Sequence, residues 1–283
     1  MNHTSSPAIS RRNFLNKLGV AGAGLALTAP QLAQAANTTK IPIGLELYTL
    51  REECKTDLPG MLVAVSKIGY KGVEFAGYHG RTAKELRKML DDNGLVACGT
   101  HTPYESVLAD KLEGTIEFNE IIGNRFLIVP WMTAETKADW LQKAKLFNEL
   151  AEKVKSHRML VGYHSHAHDF KMFEGESSWD IFSKNTQPDV ILQLDTSNCA
   201  DGGADPVAAL KKIPARVRSI HIKPHGGGPE AVIGEDKIDW KEVFAFCEGK
   251  GKTQWYVVEH ETSKNPLETV KRTYEALKML GKV

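Results

Sequence analysis

Four chemically versatile residues stand at the ends of apolar runs: His164 closes RMLVGYH, Asp195 falls in VILQLDTSN, His221 in VRSIHIKP and Glu259 in WYVVEHE. Their separations are 31, 26 and 38 residues, each about one strand-and-helix unit. One His, one Asp, one His and one Glu from four adjacent strand ends would make a mixed nitrogen and oxygen site for one divalent cation, with two carboxylates neutralising its two charges. A single His or Asp at a strand end is usually a hydrogen-bonded rim residue. Four at successive ends point to a metal centre.

That argument needs elements that bring the four ends together. From Ile41 onward, short apolar runs alternate with amphipathic helical stretches. The runs cover 43–50, 72–77, 95–101, 125–132, 158–164, 190–198, 217–224 and 255–261. Between them lie helix punctuation marks. Asp57-Leu58-Pro59 opens one helix and Gly69 closes it; Thr82 with Glu85 forms a capping box ahead of a helix stopped at Gly94; later helices start at Asp205-Pro206 and Asn265-Pro266. The longest runs from about Thr136 to His157, with Trp140, Leu141, Ala144, Phe147, Leu150, Ala151 and Val154 at helical spacing. Eight strand-then-helix units predict a (β/α)8 barrel, in which the C-terminal strand ends form one rim. The competing architecture is an open doubly wound sheet, but the first strand lacks the G-x-G-x-x-G turn that such sheets use to bind dinucleotides.

The chain has 283 residues, 42% hydrophobic and 25% charged, an ordinary globular composition. With 36 Lys and Arg against 35 Asp and Glu there is no broad cationic excess, which disfavours nucleic acid as a partner. The first 36 residues contain no acid and run from Arg11-Arg12-Asn13-Phe14-Leu15 into a Gly/Ala-rich stretch, Leu18 to Ala29. Ala33-Gln34-Ala35 offers a small-x-small cleavage site, and the apolar part is too short to span a bilayer, which disfavours a stable membrane anchor. The paired arginines look like a twin-arginine (Tat) signal. The expectation is a signal peptide over 1–35, passage through the Tat translocase, a periplasmic location and one barrel domain over 36–283. Losing Arg11, Arg12 and Lys17 leaves 33 bases against 35 acids, a slightly acidic mature protein. Cys54, Cys98, Cys199 and Cys247 have none of the zinc or thiol-redox spacings and are read as buried thiols, although a periplasmic location permits a disulfide.

The segments GLELYTLRE, GYKGVEFAG, GYHSHAHDF, LQLDTSN, HIKP, IDW and VVEHE, spread over the whole chain beyond the leader, resemble the xylose isomerase-like sugar phosphate isomerase/epimerase family. The resemblance implies a TIM barrel whose metal is usually held by Glu, Asp, His and Glu from strands five to eight. Asp195, His221 and Glu259 match that set, while the first position falls on His164 instead of Glu. The ligands then carry two negative charges rather than three, which shifts the expected cation from Mg²⁺ toward Mn²⁺, Co²⁺ or Zn²⁺. It also leaves Glu259 as the one metal-bound glutamate available as a base. Asn198 occupies a position often held by His in the family, which puts an acid/base role there in doubt.

A cation chelating a sugar's carbonyl and neighbouring hydroxyl polarises the C=O and stabilises the enediolate formed when a base takes the adjacent proton. Proton return gives isomerisation or epimerisation; loss of a β-substituent gives dehydration or glycoside elimination. A single ligand glutamate favours elimination, which needs one base and a separate acid. His166, two residues past His164, is the candidate acid or base, with orientation of a metal ligand as the alternative role. Lys223, two past His221, is placed to meet a substrate oxygen or oxyanion, or else a surface salt bridge. Glu46, Glu74 and His101 are candidates for binding sugar hydroxyls or for pairing inside the barrel. Trp131 is a candidate for stacking on a sugar ring or for core packing, and His168 and Asp169 fall in a loop. The leading expectation is a metal-dependent enzyme acting on a keto-sugar or keto-glycoside, either an isomerase/epimerase or a lyase/dehydratase. Alternatives are phosphodiester hydrolysis of the abasic-site endonuclease type and a non-catalytic periplasmic carbohydrate-binding barrel.

Overall fold

A computed structural model describes residues 40–283, so the expected signal peptide over 1–35 lies outside the described residues. Eight parallel strands follow one another along the chain: β1 Ile43–Glu46, β2 Gly72–Phe75, β3 Val96–His101, β4 Phe126–Val129, β5 Leu160–His164, β6 Ile191–Gln193, β7 Ser219–Ile222 and β8 Trp255–Val258. Every one lies inside an apolar run read from the sequence. Hydrogen bonding joins them in the order β6-β5-β4-β3-β2-β1-β8-β7. Between β6 and β7, a single bridge pairs Asp195 with His221, and Leu192 N–H and His221 N–H donate across the gap to Arg216 and Leu194 carbonyls at 3.2 and 3.0 Å. The sheet is thereby a nearly closed (β/α)8 barrel.

The helices are α1 Arg51–Ile68, α2 Ala83–Asp92, α3 Leu112–Ile122, α4 Lys137–Lys155, α5 Ser178–Asn185, α6 Thr196–Asp201, α7 Pro206–Lys211, α8 Trp240–Phe246 and α9 Pro266–Met279. Capping boxes at Thr82/Glu85 and Thr136/Asp139 start α2 and α4, because each side chain satisfies a backbone N–H that the first turn leaves free. Within α1 the helix restarts at Asp57-Leu58-Pro59 as expected: Asp57 leaves helical geometry at φ −146° and its carboxylate caps the second segment by accepting Gly60 N–H at 2.9 Å, while a first helical segment from Arg51 precedes it. One expectation needs correcting. The run over 190–198 is strand only to Gln193, after which Asp195 caps the extra helix α6. A two-stranded hairpin, Met172–Phe173 with Glu176–Ser177, also interrupts the link between β5 and α5.

Two apolar regions flank the strands. Outside, Trp140, Phe147, Tyr163, Trp179 and Phe182 pack where α4 and α5 cover β5, all almost fully buried. Inside, Phe126, Ile128 and Ile191 form a separate plug with Leu160 and Trp255. Above this plug the barrel lumen turns polar, and a glycine makes the room: a Cβ at Gly99 would sit 2.0 Å from the Glu74 carboxylate. All four cysteines are buried and free, as expected of structural thiols. Among the described residues no helix is long and apolar enough to cross a membrane.

Candidate metal centre and its rim

Side chains alternate across a strand, so His164 at the end of β5, Asp195 just beyond β6, His221 in β7 and Glu259 just beyond β8 all face the lumen. One ligand atom from each lies within 4.8 Å of the others, and all four residues are buried. Asp195 is fixed by the loop that follows it: its Oδ1 accepts the Asn198 N–H at 2.7 Å, and its own N–H donates to Ser165 Oγ at 3.0 Å. The other oxygen, Oδ2, is buried with no hydrogen-bond partner. Such an orphan carboxylate oxygen, among three further nitrogen and oxygen donors, fits a cation ligand.

The two histidines are oriented from behind. Gln193 Nε2 donates to both oxygens of Glu74 at 3.1 Å and to Ser219 Oγ at 2.9 Å, so its Oε1 is an acceptor and receives His164 Nδ1–H at 3.0 Å and His101 Nε2–H at 3.2 Å. That leaves Nε2 of His164 for the centre. His221 uses Nε2 on Glu74 at 2.5 Å and presents Nδ1 to Glu259 at 3.0 Å and Asp195 at 3.8 Å. A carboxylate behind a ligating imidazole fixes its tautomer and raises its basicity.

Glu46, Glu74 and His101 therefore lie beneath the centre. Glu46 and Glu74 are completely buried; Glu46 accepts from Tyr48 N–H and stands 3.7 Å from His101. These three with His221 also bring ligand atoms within 4.8 Å of one another; Glu74 and His101 are tied to Gln193 and His221 by the contacts just described, while Glu46 Oε2 is, like Asp195 Oδ2, buried without a hydrogen-bond partner. Sequence reasoning missed Gln193, the hub of this network. The signal was its parity: two residues before Asp195, it must face the same side of the strand.

Electrostatics suit a cation. Glu46, Glu74, Asp195 and Glu259 are buried carboxylates, and Lys223 is the buried ammonium among them. Desolvation, with the neighbouring charge of Glu74, drives Glu46 well above the usual carboxylate range. Burial also raises Asp195, against the pull of Lys223, whereas at Glu259 the attraction of Lys223 and His221 overcomes the desolvation and holds the carboxyl well down. Burial lowers His164 strongly, with His221 and His101 adding to the effect, so its ring is neutral, the form that ligates a metal.

Lys223 Nζ is bonded to Glu261 and to Asn198 Oδ1, and stands 3.6 Å from Glu259 and 3.8 Å from Asp195. His166 lies at the rim with its ring 4.8 Å from that of His164; its Nδ1 is buried without a partner, and desolvation brings it down to about 4. Trp131 stands 53% exposed, its ring 4.7 Å from His166 and 4.1 Å from His168. Two hollows adjoin the centre, one of about 530 Å³ walled by Trp131 and His166 and one of about 360 Å³ walled by Lys223. A larger one, about 670 Å³ between Tyr104 and α4, contains none of these residues.

Fold and cluster together define a (β/α)8 barrel with a His/Asp/Glu centre at its C-terminal rim. The chain belongs to the xylose isomerase-like TIM barrel family, whose model matches residues 62–282. It is similar to the inosose dehydratase of Clostridium tetani (strain Massachusetts / E88), 28% identical over 159 residues that take in 47% of this chain and 52% of that protein, so the chain spans about half of that relative's length. The inosose dehydratase of Lacticaseibacillus casei is 23% identical over 246 residues, covering 71% of this chain and 82% of the relative. A solved sugar phosphate isomerase/epimerase from Parabacteroides distasonis ATCC 8503 superposes with a TM-score of 0.74 at 26% identity, over 88% of this chain and 97% of that one.

Proposed function

We propose that the chain is a divalent-metal-dependent enzyme that removes a proton beside the carbonyl of a keto-sugar or keto-glycoside, with elimination as the favoured outcome. The observation that carries this reading is the convergence of His164, Asp195, His221 and Glu259 around the unpartnered Asp195 Oδ2. The relatives named as dehydratases and isomerase/epimerases support the substrate class and the choice between elimination and proton return.

His164, Asp195, His221 and Glu259 would hold the cation, which when bound polarises a carbonyl and stabilises negative charge developing on its oxygen. With two histidines and two carboxylates the set suits Mn²⁺, Co²⁺ or Zn²⁺ better than Mg²⁺. Glu259 is the candidate base: it is ionised, within the cluster, and its proton affinity is set by Lys223 and His221. The Lys223 ammonium, pinned by Glu261 and Asn198, supplies a fixed positive charge to a substrate oxygen. His166, whose ring walls the hollow beside Trp131, is placed to exchange a proton with a leaving oxygen.

Incubating Mn²⁺-loaded protein with a panel of keto-sugars in D₂O tests the reading. Deuterium at the carbon beside the carbonyl, or an unsaturated product, is expected; neither, across the panel, rejects it. Export through the Tat translocase to the periplasm is proposed from Arg11-Arg12 and Ala33-Gln34-Ala35. Replacing both arginines by lysine should retain the protein in the cytoplasmic fraction.

A further inference from the structure

Beneath the candidate centre the lumen holds a second set of donors. A ligand atom from each of Glu46, Glu74, His101 and His221 lies within 4.8 Å of the others. They come from β1, β2, β3 and β7, so closure of the barrel, and no local motif, assembles them. Glu46 and Glu74 are completely buried, and the side chain of His101 is 9% exposed.

The first sign of a ligand is an orphan acceptor. Glu46 Oε1 accepts Tyr48 N–H at 2.9 Å, but Oε2 is buried with no hydrogen-bond partner. Beside it stands His101, whose Nε2 donates to Gln193, leaving Nδ1 as an acceptor 3.7 Å from Glu46 Oε2. That gap exceeds hydrogen-bond reach, so a proton does not join the two atoms, whereas two ligands of one cation held at about 2.1 Å stand about 3–4 Å apart. Glu74 completes the set. Its Oε2 accepts His221 Nε2–H at 2.5 Å, and Oε1, which accepts the Gln193 amide at 3.1 Å, keeps a lone pair. The 2.5 Å contact is too short for two ligands of one cation, so His221 stays a ligand of the upper centre alone.

The second sign is charge. A divalent cation in the upper centre and the Lys223 ammonium together balance Asp195, Glu259 and Glu261. Glu46 and Glu74 have no such counterpart. Among the described residues no lysine or arginine stands within ion-pair distance of either, and their contacts of that kind are the imidazoles of His101 and His221. Buried carboxylates persist where they are paired or coordinate a metal.

We infer that Glu46, Glu74 and His101 hold a second divalent cation, of the Zn²⁺ or Mn²⁺ class, below the first and sharing no ligand with it. The site goes beyond the proposed function, which needs one cation. Glu74 joins the two sites, with the second cation on one oxygen and His221 on the other, so the lower ion tunes the basicity of a ligand of the upper one. Being deeper in the lumen, the lower ion exchanges more slowly, and brief chelation followed by added metal reports on the upper centre.

The test is elemental analysis of protein purified without chelator and dialysed against micromolar Zn²⁺. Wild type should retain about two ions per chain and Glu46→Gln, which keeps the side chain's size and removes its charge, about one. His101→Gln should show the same loss, and His164→Ala should lose the other ion. In wild type carrying two Mn²⁺ ions, spin coupling should broaden the paramagnetic resonance signal, and Glu46→Gln should restore the resolved spectrum of an isolated ion. Two ions that both survive Glu46→Gln, or an uncoupled signal from protein carrying both, overturn the inference. A single wild-type ion lost in His164→Ala and kept in Glu46→Gln also overturns it, while leaving the proposed function standing. The reverse, a single ion lost in Glu46→Gln and kept in His164→Ala, supports the lower site and rejects the cation of the proposed function. Zinc-free protein rejects both.

Discussion

Gln193 is the residue on which the geometry of the centre turns. Its Oε1 accepts hydrogen bonds from two histidines and its Nε2 holds Glu74 in place against His221, so one amide sets the tautomer of both His164 and His221. Gln193→Met keeps the length of the side chain and removes both functions. Divalent metal affinity, read by calorimetric titration with Mn²⁺ or Zn²⁺, should fall about 10- to 100-fold. Stability should also fall, by about 1–3 kcal/mol, because the buried Glu74 and His164 lose hydrogen-bond partners. Unchanged metal affinity would show that the histidines are oriented by something else. The convergence of the four strand-end residues was legible because a polar residue closing an apolar run stands out, and the one-unit spacing of four such residues is informative. Gln193 was missed although its parity with Asp195 places it on the lumen side, because the reading rested on residues that close the apolar runs. Glu46 and Glu74 were legible as inward residues, but only the structure shows the depth at which each lies.

The loop after β5 shows how an element too short for periodic patterning positions the rim. Ala167–Phe170 is a 3-10 turn held by the buried carboxylate of Asp169, which accepts Tyr163 O–H and His166 N–H, both at 2.7 Å. His166 is thus placed through its backbone by Asp169. Burial pushes the Asp169 carboxyl up to about 6, above its ordinary 3.8. The folded protein therefore binds a proton more readily than the unfolded chain, and the stabilisation from that proton is fully present below pH about 4 and lost as pH rises through about 6. Between those values unfolding curves should show a loss of about 3 kcal/mol assignable to this group. Asp169→Asn has no such proton, so the difference in stability between wild type and variant should change across pH 4–6 and be flat above it. A constant difference over the whole range would mean that Asp169 is not raised in the native protein. The helices and strands were legible at this scale because α2 and α4 carry capping boxes and the strands are continuous apolar runs. The 3-10 turn, the small hairpin and α6 were not, since each is decided by one or two side chains closing onto nearby backbone groups.

At the scale of the molecule, residues 40–283 form one compact unit whose weakest closure coincides with its candidate metal centre. The sheet begins at β6 and ends at β7, and among the described residues the backbone pairing between them is reduced to the Asp195–His221 bridge and the Leu192–Arg216 hydrogen bond, with side-chain bonds from Gln193 to Ser219 and from Thr196 to His221 and Lys223 completing the closure. Both bridged residues are proposed ligands, and the other two, His164 and Glu259, come from β5 and just beyond β8 on either side of the gap. A cation held by all four would tie the seam together at the point where backbone pairing is sparse. Metal should then stabilise the barrel as any ligand specific to the native state does, by about 2.7 kcal/mol at a free concentration a hundred times its Kd. For a domain of this size that corresponds to a rise in Tm of roughly 5–10 °C. The stabilisation should also be local: amide hydrogen exchange on adding Mn²⁺ should slow most at Asp195, Thr196, His221 and Ile222, and little in β2 and β3, where pairing is continuous. His221→Ala should abolish both effects, because it removes the ligand that sits on the seam while leaving the backbone pairing there in place. His164→Ala removes a ligand outside the seam, so it should weaken the metal response while leaving metal-free exchange at the seam near that of wild type. A metal response spread evenly over all eight strands, or none at all, would separate the seam from the centre and leave barrel closure to the hydrogen bonds of the chain alone.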